Sequence, residues 1–112
     1  MPSAKEDLSD IPVCILINHK AVSYAETLIT LIKKNKIGTL IGQPTNGTNG
    51  DITIIHNPIY GFTMTAIKDF SGLHGKGISP DVYVQPTLEG IIANQDEILE
   101  AAKKYIDDIQ QL

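Results

Sequence analysis

The chain has little of what would place it in several common functional classes. It holds one cysteine, Cys14, so it cannot close an internal disulfide, and a lone thiol makes no metal site. Cys14 stands inside an apolar run and is expected to be a buried structural residue. Nine Lys and Arg against thirteen Asp and Glu give a net charge of −4, which argues against a nucleic-acid binder. The one dense basic cluster, Lys33, Lys34 and Lys36, falls at the end of a predicted helix, where the helix dipole favours cations. No apolar run approaches membrane-spanning length. Met1 is followed by a polar stretch without the apolar region of a signal peptide. The histidines His19, His56 and His74 lack the paired spacing of a metal site, and no metal or cofactor is expected. The glycine-containing stretch from Gln43 to Gly50 lacks the G-K-[ST] ending of a phosphate loop. Internal repeats and low-complexity blocks are also missing.

What remains fits one small domain: 112 residues, 42% of them hydrophobic. Residues 1–11 read as a chain edge or linker ahead of a single unit at 12–112. Ile11 to Ile17 is apolar apart from Pro12, as in a strand buried on both faces of a parallel sheet. Ala25, Leu28, Ile29 and Ile32 then mark one face of a helix, from near Ser23 to near Lys36, with Gly38 as the stop. Thr39 to Ile41 follows as a second strand, which implies a right-handed parallel crossover. Gln43 to Gly50 reads as loop. Asp51 to His56 and Phe62 to Ile67 flank a turn and predict a hairpin. A glycine-rich loop from Asp69 to Pro80 leads to a short strand at Asp81 to Val84. Thr87 opens a short helical segment. A last helix runs from about Asp96 to Gln110, with Ile98, Ala102, Tyr105 and Ile109 on one face, and Asn94 and Glu97 stand at capping-box spacing. The expected class is α/β, with a mixed sheet, a β-hairpin and a C-terminal helix.

Ser23 is the candidate for chemistry. It falls at a strand-to-helix turn, where a hydroxyl is exposed beside the unpaired N–H groups of a first helical turn. An oxyanion formed there would meet the Tyr24 N–H and the positive end of the helix dipole. Glu26, three residues on, completes the S-x-x-E spacing of a helix capping box, and spacing alone favours a cap over a nucleophile. A serine nucleophile also needs a base, of which histidine is the commonest. His74, in the loop Gly72-Leu73-His74-Gly75-Lys76-Gly77, is the candidate near the site.

Three segments together carry a resemblance. The run from Pro12 to Asn18 and then Ala21-Val22-Ser23-Tyr24-Ala25-Glu26 resembles the strand and T-A-S-A-x-E motif of the tail-specific, C-terminal-processing serine peptidases. Thr39 to Gly47 is similar to that family's next strand and G-x-x-T-x-G loop, and Gly75 to Val84 to its G-x-G-I-x-P-D tail. The motifs stand in the family's order and span residues 12–86. The resemblance implies a crotonase-like β-α core and makes Ser23 the nucleophile, with the Tyr24 N–H as one oxyanion donor. It implies a peptide or protein substrate and an extracytoplasmic or membrane-associated parent. Thr48 stands where the bacterial members carry the lysine of a Ser-Lys dyad, so the chain looks like the tricorn-like branch, whose base is a histidine from upstream. The chain is then expected to be the C-terminal catalytic segment of a longer enzyme, inactive alone, with an upstream domain supplying the base and second oxyanion donor. Two alternatives accompany this reading. One is a peptide-binding module that kept the fold without the chemistry. The other is a self-associating module, whose homodimer would cover apolar surface.

Overall fold

The computed structural model describes residues 8–68 and 72–112. Its elements are β1 (Cys14–Ile17), α1 (Tyr24–Lys34), β2 (Thr39–Gly42), β3 (Asp51–Asn57), β4 (Phe62–Lys68), β5 (Val82–Tyr83), α2 (Leu88–Ile92) and α3 (Glu97–Gln110). Strands β1, β2 and β5 form a parallel sheet with β2 in the centre, and β3 and β4 pair antiparallel as a separate hairpin. The α/β class, the hairpin and the C-terminal helix are as expected. The parallel and antiparallel pairings occupy two sheets among the described residues, because β3 pairs with β4 alone.

Side-chain alternation on β2 builds a core on each face of the parallel sheet. Leu40, fully buried, joins Ile17, Ile29 and Ile78 on the α1 side. Ile41, its neighbour, points the other way and meets Ile98 and Ala102 of α3, with Cys14, Val82 and Tyr105 packed around them. Each of these two side chains contributes about 2–3 kcal/mol by leaving water. Cys14 is half-buried, and burial raises its thiol pKa.

Several predicted boundaries move for local reasons. β1 starts at Cys14, since Pro12 has no N–H to give a ladder and the Ile11 N–H turns back to the Leu8 carbonyl. α1 stops at Lys34, and Lys36 beyond it has φ 53°. Only part of the predicted α1 face is packed: Ile29 is buried, while Leu28 stays exposed. Lys33 donates to the Ser79 carbonyl (2.7 Å) and stands 3.8 Å from Asp81, so this lysine also ties α1 to the 75–81 segment. The cap of α3 is Asp96, which accepts the Leu99 N–H at 3.0 Å, not Asn94. Glu97 reaches back to Thr87 instead, accepting its hydroxyl at 2.9 Å. The residues 69–71 of the predicted glycine-rich loop lie outside the described residues.

The hairpin is in register from Asp51↔Lys68 to Asn57↔Phe62. Its apolar side chains are left open on both faces, with Ile54 at 70% exposure on one and Phe62 at 48% on the other. Cross-strand pairs such as Ile52 with Ile67 hold it together.

Candidate active site

Ser23 is the residue between β1 and α1, and its backbone is unusual. With φ 51° and ψ −116° it occupies a conformation that favours glycine. The Ala25 N–H donates to the Val22 carbonyl at 3.1 Å, closing a four-residue turn with Ser23 at its second position. These angles are those of a type II′ turn, where glycine is the usual residue. A non-glycine residue held there costs about 1–3 kcal/mol, a strain that concentrates at functional sites. The reciprocal capping box is present: Glu26 accepts the Ser23 N–H at 3.0 Å, and the Ser23 side chain faces the Glu26 N–H, which donates to the Ser23 carbonyl at 2.9 Å.

The turn leaves a donor beside the hydroxyl. In the first turn of α1 the Ala25 and Glu26 N–H groups donate to the Val22 and Ser23 carbonyls. The Tyr24 N–H has no such acceptor among the described residues, as expected at the first helical position. The Tyr24 side chain is 85% exposed and stays clear of it.

Behind the turn lies Glu26, fully buried, the one buried carboxylate among the described residues. It accepts the Thr45 hydroxyl (2.6 Å), the Gly47 N–H (2.7 Å), the Thr48 N–H (2.8 Å) and the Thr48 hydroxyl (3.1 Å) besides Ser23. Burial pushes its pKa up. The hydrogen bonds from Thr45, Gly47 and Thr48 outweigh that and hold it below the ordinary carboxylate value. The capping-box spacing had marked Glu26 as a partner of Ser23, but not as the hub of a loop more than twenty residues away. The available signal was its place three residues before Ile29, on the buried face of α1.

The second and third motifs pack on each other beside this hub. Thr45 and Ile78 exchange hydrogen bonds, the Thr45 N–H to the Ile78 carbonyl (3.1 Å) and the Ile78 N–H to the Thr45 hydroxyl (2.8 Å). The Gly75 N–H donates to the Gly47 carbonyl at 2.7 Å. Gly47 has φ 85°, and a Cβ there would lie 2.8 Å from the Gly77 nitrogen, so the approach requires glycine. Asp81 anchors the tail to the sheet by accepting the Leu40 N–H at 2.9 Å.

Thr48 lies against the Ser23 turn: its hydroxyl accepts the Ser23 N–H at 3.1 Å while donating to Glu26. His74, in the 72–77 loop, meets the 43–50 loop at Asn49. Its Nδ1 is 2.9 Å from the Asn49 carbonyl oxygen, and a carbonyl only accepts, so Nδ1 carries the proton. Asn49 in turn accepts the Thr27 hydroxyl of α1 at 2.8 Å. Among the described residues no histidine ring is hydrogen-bonded to Ser23: His56 pairs with Thr63 on the hairpin, and His19 is exposed ahead of the turn. No group of three His, Cys, Asp or Glu side chains among the described residues could hold a metal ion.

The arrangement is a strained serine at a helix mouth, an open N–H beside it, and a polar network around a buried carboxylate that binds the serine to a second loop. Residues 2–84 match the peptidase family S41. Comparison with curated proteins found no match. Among solved structures, the chain is similar to the tricorn protease, with a TM-score of 0.73 and 22% identity over 88% of this chain and 10% of that one. It is similar to a candidate peptidase from Parabacteroides merdae, at TM-score 0.64 and 27% identity, covering 85% of this chain and 31% of that one. It is also similar to the photosystem II D1 C-terminal processing protease, at TM-score 0.51 and 25% identity, covering 71% and 23%. The chain spans less than a third of each of these proteins. The family match extends from residue 2 through the Ser23 turn, the 43–50 loop and the 75–81 tail, and on it the chain belongs to peptidase family S41, the C-terminal-processing peptidases.

Proposed function

We propose that this chain is the nucleophile-bearing, C-terminal segment (residues 12–112) of a serine endopeptidase, and that Ser23 attacks the scissile carbonyl to form an acyl-enzyme. The observation that carries the reading is the backbone of Ser23, held at φ 51° and ψ −116°. A helix cap would sit in the extended region. A nucleophile needs its hydroxyl available. The Tyr24 N–H is the oxyanion donor contributed by this chain, reinforced by the dipole of α1.

The base and a second oxyanion donor come from another segment of the longer enzyme. Support for this is local: Thr48, at the position of the dyad lysine, has its hydroxyl engaged by Ser23 and Glu26. His74 is a rim residue that contacts substrate, with its ring oriented through the Asn49 carbonyl. The substrate is a peptide or protein. The same Thr48 observation favours, as the second reading, a module that binds peptides without cleaving them.

A fluorophosphonate probe applied to the full-length enzyme separates the two. Labelling that disappears in Ser23→Ala supports the peptidase. Labelling untouched by Ser23→Ala removes Ser23 from the mechanism. Saturable binding of peptides with free C-termini, without labelling or turnover, selects the binding module.

A further inference from the structure

Glu26 is an expensive residue to bury. An ionised carboxylate taken out of water is tolerated only when its lone pairs are met. No salt bridge reaches it among the described residues. Its charge is balanced by neutral donors alone: Ser23 N–H, Thr45 hydroxyl, Gly47 N–H, and the N–H and hydroxyl of Thr48. A core could be filled more simply by an apolar side chain, so the donors this carboxylate gathers are the feature to explain.

Those donors belong to two segments that the sheet alone does not bring into register. One is the turn carrying Ser23. The other is the loop from Thr45 to Thr48, which the 75–78 segment braces from behind. Ser23 is tied by a shared donor. Its N–H lies 3.0 Å from Glu26 Oε2 and 3.1 Å from Thr48 Oγ1, and Thr48 Oγ1 itself donates to the same Oε2. This closed ring of three groups holds the Ser23 amide on the buried side. The Glu26 bond by itself is also made in a capping box whose first residue is extended; here the same Ser23 N–H also meets the Thr48 hydroxyl, which Glu26 holds, so the carboxylate ties the φ 51° turn to the loop.

We infer that Glu26 is the positioning residue of the nucleophile turn: its buried carboxylate locks the Ser23 amide to the Thr45–Thr48 loop and so holds the serine in the strained geometry that presents its hydroxyl. The inference rests on reading Ser23 as the nucleophile. Glu26 itself touches neither substrate nor the reacting atoms. Glutamine is the informative replacement because it keeps shape but offers one acceptor oxygen and turns an NH₂ toward the remaining donors.

The test uses the 112-residue chain and the longer enzyme side by side. In the chain, Glu26→Gln is expected to reduce amide hydrogen-exchange protection at Ser23, Gly47 and Thr48 by about tenfold or more, the effect of losing a charge-assisted hydrogen bond. The Cα chemical shift of Ser23 should move toward extended values, while amides of Leu40 and Ala102 keep their protection. In the longer enzyme the same variant should slow fluorophosphonate labelling by a similar factor. Unchanged exchange and an unchanged Ser23 shift in Glu26→Gln would overturn the inference, as would labelling at the wild-type rate. Should Glu26→Gln not fold, Thr48→Val decides. It removes the shared hydroxyl but keeps the backbone N–H, so the Ser23 amide should lose protection several-fold with the global melt unmoved; no loss refutes the ring. Labelling that is absent in the wild type, or that survives Ser23→Ala, refutes the nucleophile reading alone, and the amide measurements then judge Glu26.

Discussion

Replacing Ser23 by glycine should stabilise this protein. Ser23 holds φ 51° and ψ −116° with a Cβ in place, at a cost of about 1–3 kcal/mol. Glycine lifts that cost but adds about 0.5–1 kcal/mol of backbone entropy to the unfolded chain. What is lost at the hydroxyl is its capping-box approach to the Glu26 N–H, which also donates to the Ser23 carbonyl at 2.9 Å. The net expectation is a gain of ~0.5–2 kcal/mol in Ser23→Gly, or ~4 °C of melting temperature per kcal/mol for a domain of this size. Ser23→Ala keeps the Cβ and the strain, so it should stay within about 0.5 kcal/mol of wild type. A helix cap predicts another order: alanine would cost about 1 kcal/mol and glycine a few tenths, both below serine. Urea denaturation of the three proteins, compared at equal m-value, decides between these patterns. A Ser23→Gly protein less stable than wild type, even by the few tenths of a kcal/mol that a cap predicts, would refute the claim of stored strain.

Acid should unfold the chain partly through Glu26. Its folded pKa lies below its unfolded value of about 4.3, so its contribution is complete above that value and is lost as pH falls through the folded pKa. Acid titration followed by circular dichroism should show this loss, and Glu26→Gln should flatten it while lowering the neutral-pH plateau. Leu40→Ala empties the centre of the α1-side core and should cost ~2–5 kcal/mol in denaturant melts. Gly47→Ala strains a left-handed position and presses a methyl on the Gly77 nitrogen, so it should lose more than about 1 kcal/mol. Asp96→Ala removes the cap of α3 and should cost ~1 kcal/mol by the same assay.

Much of the fold was legible because its signals are local. The apolar run of β1, the spacing of Ile29 and Ile32 in α1, and the alternating strands around Asn57 to Gly61 each declare an element without reference to the rest. Boundaries slipped where a single backbone group decided them. Pro12 shortened β1, and Asp96 rather than Asn94 took the cap of α3 because its carboxylate could reach the Leu99 N–H. The face of α1 was overestimated, since periodicity marks which side chains could be buried and not whether anything covers them. Leu28 and the hairpin's Ile54 have the right chemistry for a core and remain exposed.

The sequence by itself determined the order of elements, the place of Ser23 between a strand and a helix, and three motifs in family order, because these are properties of neighbouring residues. Only the tertiary structure decided the conformation of Ser23. S-x-x-E spacing does not fix the backbone of its first residue. Here φ 51° and ψ −116° accompany hydrogen bonds from the Ser23 N–H to Glu26 and Thr48. Those bonds exist because the 45–48 loop returns to the helix mouth, braced by Gly75 and Ile78. No local pattern encodes that return: pairing β2 parallel to β1 puts the turn after β1 and the loop after β2 at the same end of the sheet, and the 75–78 segment holds that loop by its own hydrogen bonds.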